Sequence, residues 1–225
     1  MRPKLVVWGA SGHALVVIDI LRLAGEYEIV GLLDDVNPQS RGLRVAGLAV
    51  LGGVEQLDEL RRNGTTHVIL AFGNCGARLR LAQLAKRAGF RCASAIHPRA
   101  VVAESARVGP GTVVAACAVI NPGATIGENA IINTSATVDH DCSIADGVHL
   151  SPGAHLGGHV TVGEEAWVGI GATVRDRIHI GAHSIIGAGA VLTRDVPPGV
   201  VVYGVPGRVI RSVNEQNNLG EVSGV

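Results

Sequence analysis

The chain has 225 residues, 47% hydrophobic but only 3% aromatic, with 19 basic and 19 acidic side chains that cancel. A neutral chain of this kind offers no basic patch for nucleic acid and no acidic block for a disordered tail. Its length suits one large domain or two smaller ones around an aliphatic core.

Residues 4–8 read as a buried strand, followed by the turn Gly9-Ala10-Ser11-Gly12-His13 and a helix over residues 14–24. Strand, glycine turn and helix start together form a candidate phosphate site, because the first helical N–H groups are free and carry partial positive charge. The dinucleotide fingerprint is incomplete, since Ser11 stands where its second glycine belongs, which argues against NAD. A plain packing turn in an α/β domain explains the same residues. A second strand over residues 29–33 runs into Asp34-Asp35, a carboxylate pair placed either for a ribose or base or for a solvated turn before Asn37-Pro38. A short strand over residues 49–51, a helix over 53–62, a strand over 67–72 ending in Gly73-Asn74, a helix over 77–88 and a last strand over 90–95 complete an alternating pattern. That pattern predicts a small parallel α/β, Rossmann-like unit over residues 1–95 with its strand-end turns along one edge.

From Ile96 the pattern changes. An aliphatic residue returns every six positions through Leu192, and a small residue, mostly Ala, recurs four positions after it. Six is neither a helical nor a simple strand period. It fits a solenoid of short strands and tight corners in which three hexads make one triangular coil, so residues 18 apart stack. We therefore expect an all-β parallel helix over residues 96–199, then a C-terminal strand and tail over 200–225, with residues 214–225 frayed. Cys75, Cys92, Cys117 and Cys142 form no CxxC pair and are expected as reduced thiols; Cys142 falls at an inward repeat position. Residues 15–23 are apolar but carry Asp19 and Arg22 and are too short to cross a bilayer. With no secretory signal legible, the expectation is a cytoplasmic protein with no membrane and no nucleic-acid partner.

Six of the nine histidines fall between His140 and His183, which raises metal binding. No histidine of the repeat has another 18 or 36 residues away, so no stacked imidazole set exists and no metal site is expected. The alternative is a single base. His140 and Asp141 share an outward corner, and Gly158 stacks one coil beyond His140. Histidine titrates near neutrality, a carboxylate fixes its tautomer, and a glycine N–H supports an oxyanion. Ordinary surface polarity at a corner is the competing explanation.

These motifs in this order resemble the bacterial nucleotide-sugar acetyltransferases of the hexapeptide-repeat superfamily, a group that includes sialic acid O-acetyltransferase-like members. The resemblance rests on Gly9 to His13, Asp34-Asp35, Gly73-Asn74, Asn133 through His140, and Gly204-Val205-Pro206. It implies a left-handed β-helix, acetyl-CoA as cosubstrate with no permanently bound cofactor, and a homotrimer. It implies N-acetylation of a nucleotide-linked amino sugar, with His140 as base, Asp141 as its helper and Gly158 at the oxyanion. Ser11, Gly12, His13, Asp34, Asp35, Gly73 and Asn133 match nucleotide-sugar contacts. His149, Ile170 and Ala188 match acetyl-CoA contacts, and the 18-residue spacing of the last two independently requires that they stack. Sugar O-acetylation and a non-catalytic nucleotide-sugar-binding scaffold are the alternatives.

Overall fold

A computed structural model describes residues 2–213. The expected fraying of residues 214–225 lies outside the described residues.

The first third is a parallel sheet flanked by helices. β1 (Lys4–Trp8), β2 (Glu28–Leu33), β4 (Leu48–Gly52), β5 (Thr65–Leu70) and β6 (Arg91–Cys92) carry α1 (Gly12–Ala24), α2 (Leu57–Arg62) and α3 (Cys75–Arg87) between them. With β3 (Arg44–Val45) at the edge, the strand order is β3-β4-β2-β1-β5-β6, so the chain steps outward from β1 on one side and then returns to its other side. The switch point therefore lies between β1 and β5, where ligands of such sheets sit at the carboxyl ends. α1 starts behind Ser11 and ends at Gly25, whose φ of 67° lets its N–H close on the Leu21 carbonyl. α3 starts behind Asn74, whose side chain accepts from the Ala77 N–H at 2.9 Å.

Two features depart from the sequence expectation. β3 (Arg44–Val45) pairs antiparallel with β4 through Ala46-Gly47, both at positive φ, a tight hairpin that the sequence pattern did not flag. The last strand, expected over residues 90–95, is split. Arg91–Cys92 pairs with β5, whereas Ala95–Ile96 already pairs with Val113–Val114 as the first rung of the solenoid. The segment carries no break in its strand-like pattern, but its two ends belong to different sheets.

From Ala95 the chain winds as a left-handed parallel β-helix. Two-residue strands recur every six residues and pair with those 18 residues away, so His149 lies on Ile131 and under Trp167. Three faces result. The first runs through Val113–Val114, Ile131–Ile132, His149–Leu150, Trp167–Val168 and Ile185–Ile186. The second runs through Thr137–Val138 and His155–Leu156, the third through Ser143–Ile144 and Thr161–Val162. The aliphatic and small repeat positions, Cys142 included, fill the interior. Val200–Tyr203 adds to the first face and turns back antiparallel through Arg208–Ser212.

The sheet domain sits on the first face. Val113, Ala115 and Ile131 share one core with Leu5, Val7, Ala14 and Ile18, so the two parts bury apolar surface together. Arg78 of α3 ties the contact. It is 1% exposed, and its guanidinium donates to the carbonyls of Phe72, Gly73, Asn129 and Gly147 at 2.7–3.1 Å.

Candidate active site

Each corner of the β-helix holds a different set of polar residues. At the corner between the second and third faces, residues 140–141 form the turn after Thr137–Val138. Asp141 adopts φ 57°, a left-handed conformation that aspartate tolerates. Its Oδ2 lies 2.9 Å from His140 Nδ1. With Nδ1 committed to that carboxylate, the free lone pair of the neutral ring is on Nε2. The Asp141 hydrogen bond holds the His140 imidazole above its usual pKa, and the same bond holds Asp141 below the carboxylate range. Asp139 Oδ1 accepts from the His140 N–H at 2.7 Å and from Asn121 Nδ2 at 2.9 Å, which fixes the turn beneath the ring.

Gly158 stacks above His140, as the 18-residue period requires. A Cβ built there would lie 2.6 Å from His140 Nε2, so the glycine makes room for the imidazole rather than for a substrate. Its N–H has no hydrogen-bond partner among the described residues and remains available to an oxyanion.

A second set lies between the sheet domain and the first face. Gly9 closes against the end of β5: its φ is 130°, and a Cβ would lie 2.7 Å from the Ala71 carbonyl oxygen, so only glycine fits at this switch point. Ser11 makes no side-chain cap bond, and Gly12 faces open space at the start of α1. His13 and His149 stand with ring centres 6.3 Å apart. Asn133 lies 3.2 Å from His149 Nε2 through its Nδ2, and the side-chain direction of Gly73 points at the same ring, 3.7 Å away. Burial, then the Arg78 charge, lowers His13 to about 4; burial, then Arg78 and His13, lowers His149 to about 3. Both are neutral near pH 7. His13 Nε2 is buried without a hydrogen-bond partner among the described residues, and the His149 ring packs against the Gly73 backbone.

Asp34 and Asp35 end β2 beside this crevice, with several of their lone pairs already engaged. Asp34 accepts from the Val36 and Asn37 N–H groups and from the Ser40 hydroxyl. Asp35 accepts from Trp8 Nε1 and from the Val54 N–H. The pair thus builds the strand-end loop. Ile170 and Ala188 occupy successive turns at the corner between the first and second faces, and Ile170 is 62% exposed. His149, matched with them as an acetyl-CoA contact, stands with Asn133, His13 and Gly73.

Comparison with known proteins follows the same division. Residues 4–85 match the family model of the PglD N-terminal domain, and residues 159–194 match that of the bacterial transferase hexapeptide (six repeats). A crystal structure from Caulobacter crescentus, in complex with CoA and GDP-perosamine, is 41% identical over 93% of this chain and 98% of that one, with a TM-score of 0.88. This chain belongs to the family of nucleotide-sugar N-acetyltransferases. A histidine-to-alanine variant of GDP-perosamine N-acetyltransferase from the same organism, also with CoA and GDP-perosamine, is 40% identical with a TM-score of 0.89. The acetyltransferase domain of PglB from Neisseria gonorrhoeae, in complex with acetyl coenzyme A, is 39% identical over 93% of this chain and all of that one, with a TM-score of 0.87. A curated galactoside O-acetyltransferase from Escherichia coli is 54% identical over 37 residues, only 18% of that protein's length.

Within this member of the family, three residues escaped the sequence reading. Arg78, one of several basic residues on α3, carries no motif that marks it. Trp167 stacks parallel on His149, 5.4 Å between ring centres at 7°, and its indole N–H donates to Ser151 Oγ at 2.6 Å. His159 packs edge-on against His140 with ring centres 5.0 Å apart. The 18-residue spacing carries its signal, since His159 stacks on Asp141 rather than on another histidine. His140, Asp141 and His159 have ligand-type atoms all within 4.8 Å of one another. The carboxylate is already engaged by His140 Nδ1, an arrangement suited to supporting a base.

Proposed function

We propose that this chain transfers the acetyl group of acetyl-CoA directly to the amino group of a nucleotide-linked amino sugar. The amine nitrogen attacks the thioester carbonyl and passes its proton to His140 Nε2. Asp141, on Nδ1, stabilises the imidazolium that forms. The carbonyl oxygen becomes an oxyanion facing the Gly158 N–H. As the intermediate collapses, the C–S bond breaks and His140 returns the proton to the CoA sulfur. The observation that carries this reading is the His140–Asp141 bond of 2.9 Å with Nε2 left free beside Gly158.

The crevice with Ser11, Gly12, His13, Gly73 and Asn133 takes the nucleotide-sugar, with the start of α1 at its phosphates. Asp34 and Asp35 shape the loop there. The exposed row Ile170–Ala188 takes the pantetheine arm, with His149 at the boundary of the two ligands.

Within one chain these parts do not converge. From Thr134, on the Ile170 corner, to His140 is one full hexad, a span of up to roughly 20 Å of extended chain. A homotrimer resolves this, because three-fold rotation sets the base corner of one subunit against the Ile170 corner of its neighbour. Among the described residues no helix is long and apolar enough to cross a membrane. Acetyl-CoA and nucleotide-sugars as substrates support a cytoplasmic location.

The test is acetyl-CoA consumption against GDP-, UDP- and dTDP-linked amino sugars, with free sialic acid as the alcohol acceptor. The expected result is turnover of an amino sugar that falls by about 10²-fold or more in His140→Ala. Turnover of sialic acid alone, or a variant keeping a tenth of the rate, overturns the acceptor or the base respectively.

A further inference from the structure

His159 is not accounted for by the reaction just described. It lies 18 residues beyond Asp141, and the two share the same left-handed backbone conformation, φ 57° and 58°, so their side chains leave successive coils in the same direction. The His159 N–H donates to the His140 carbonyl at 2.9 Å, which locks the spacing of the two turns. Its ring meets the His140 ring edge to face at 86°, and its Nε2 lies 3.8 Å from Asp141 Oδ2, the atom that already engages His140. On the opposite side Asp141 is bounded by Gly123, where a Cβ would approach Oδ1 to 2.4 Å. The carboxylate is therefore enclosed from below by a glycine and from above by an imidazole.

Enclosure matters because the pair is exposed. The side chains of His140 and Asp141 are 52% and 54% exposed, and an ion pair that open is worth little and holds no single geometry by itself. A third group is needed to hold the carboxylate on Nδ1. We propose that His159 is a positioning residue that keeps the Asp141 carboxylate on His140 Nδ1; the catalytic consequence rests on the reading of His140 as base. The other charged groups facing this cluster are Asp139 on the same turn and Arg177 on the next coil, the latter with Asp176 beside it. None of them reaches Asp141 Oδ2 in a recorded contact among the described residues.

The two ways His159 acts on His140 have opposite signs. A positive charge at that position would lower the basicity of His140. As the holder of Asp141, His159 raises that basicity, because the carboxylate hydrogen bond favours the imidazolium. Positioning is therefore separable from bulk charge.

The experiment is a titration of the His140 imidazole by 15N NMR in the full-length protein, with His140→Ala assigning the signal. It is run on wild type, His159→Ala and His159→Gln, with thermal midpoints recorded alongside. The expected result is a His140 midpoint that drops by about half a pH unit or more in His159→Ala. It returns most of the way in His159→Gln, which keeps a side-chain donor without charge, and all three proteins unfold at similar temperatures. A midpoint that stays or rises in His159→Ala overturns the proposal, since loss of charge alone raises it. No substrate enters this measurement, so its failure is distinct from that of the base assignment, which activity of His140→Ala decides.

Discussion

Gly158 answers to two demands at once, and they can be separated by one methyl group. Its N–H is free for an oxyanion, while its side-chain direction is filled by the His140 ring at 2.6 Å. Gly158→Ala keeps the N–H and displaces the ring. The expectation is a kcat loss of about 10-fold or more with the thermal midpoint nearly unchanged, because the corner is at the surface and the lost function is alignment. Steady-state kinetics beside thermal unfolding check it. The pH dependence belongs to the same few atoms. Asp141 raises the His140 pKa above 6.5 through their hydrogen bond, and the base acts only when neutral. The rate therefore falls as pH drops through a value above 6.5. Asp141→Asn removes the carboxylate, so this acid limb moves to lower pH even as kcat declines. A limb that stays in place after that substitution assigns it to a different group.

At the scale of elements, α3 and the first face of the β-helix are held in register by Arg78. Its donors reach the carbonyls of Phe72 and Gly73 on one side and of Asn129 and Gly147 on the other. Arg78→Met fills similar volume but leaves those carbonyls without a donor, at a cost of about 3 kcal/mol or more. We expect a large fall in denaturant midpoint and a raised KM for the nucleotide-sugar, because Gly73 loses its anchor. The same junction is expected to lose stability in acid. His13 and His149 have folded pKa values depressed to about 4 and about 3, below the 6.5 of an unfolded chain. Their stabilising contribution is complete above pH 6.5 and is lost as pH falls toward those values, at up to about 1.4 kcal/mol per group per pH unit. Urea unfolding at pH 7, 6 and 5 should show this decline, and His149→Phe should flatten it.

Legibility followed the same scales. A strict period makes the β-helix readable, because each inward site repeats the same physical demand, and the stacking of Gly158 on His140 followed from that arithmetic. The crevice was less legible. Asp34 and Asp35 were visible as a pair, but only coordinates show Trp8, Val54 and Ser40 engaging them. Arg78 was invisible, since its partners are backbone carbonyls, which carry no sequence signature. The split of residues 90–95 between two sheets was hidden for a related reason: a strand-like segment does not record which neighbour it pairs with.

For the whole molecule, the geometry of the prism makes a prediction that single substitutions cannot test. His140, the proposed base, stands on one corner and the Ile170–Ala188 row on another, so a complete site in the proposed trimer takes its base from one subunit and its CoA wall from the next. His140→Ala subunits supply intact walls, and Ile170→Glu subunits supply intact bases; each is expected to be nearly inactive alone. When the two are unfolded together in equal amounts and refolded, a site works only where a His140 subunit precedes an Ile170 subunit around the ring. Random assembly of a cyclic trimer gives that order at about a quarter of the sites. Activity should therefore rise from near zero toward about a quarter of wild type after mixing, and should not rise when the two proteins are mixed without unfolding. A site contained within one chain gives no recovery in either protocol, because each subunit then carries its own defect into its own site.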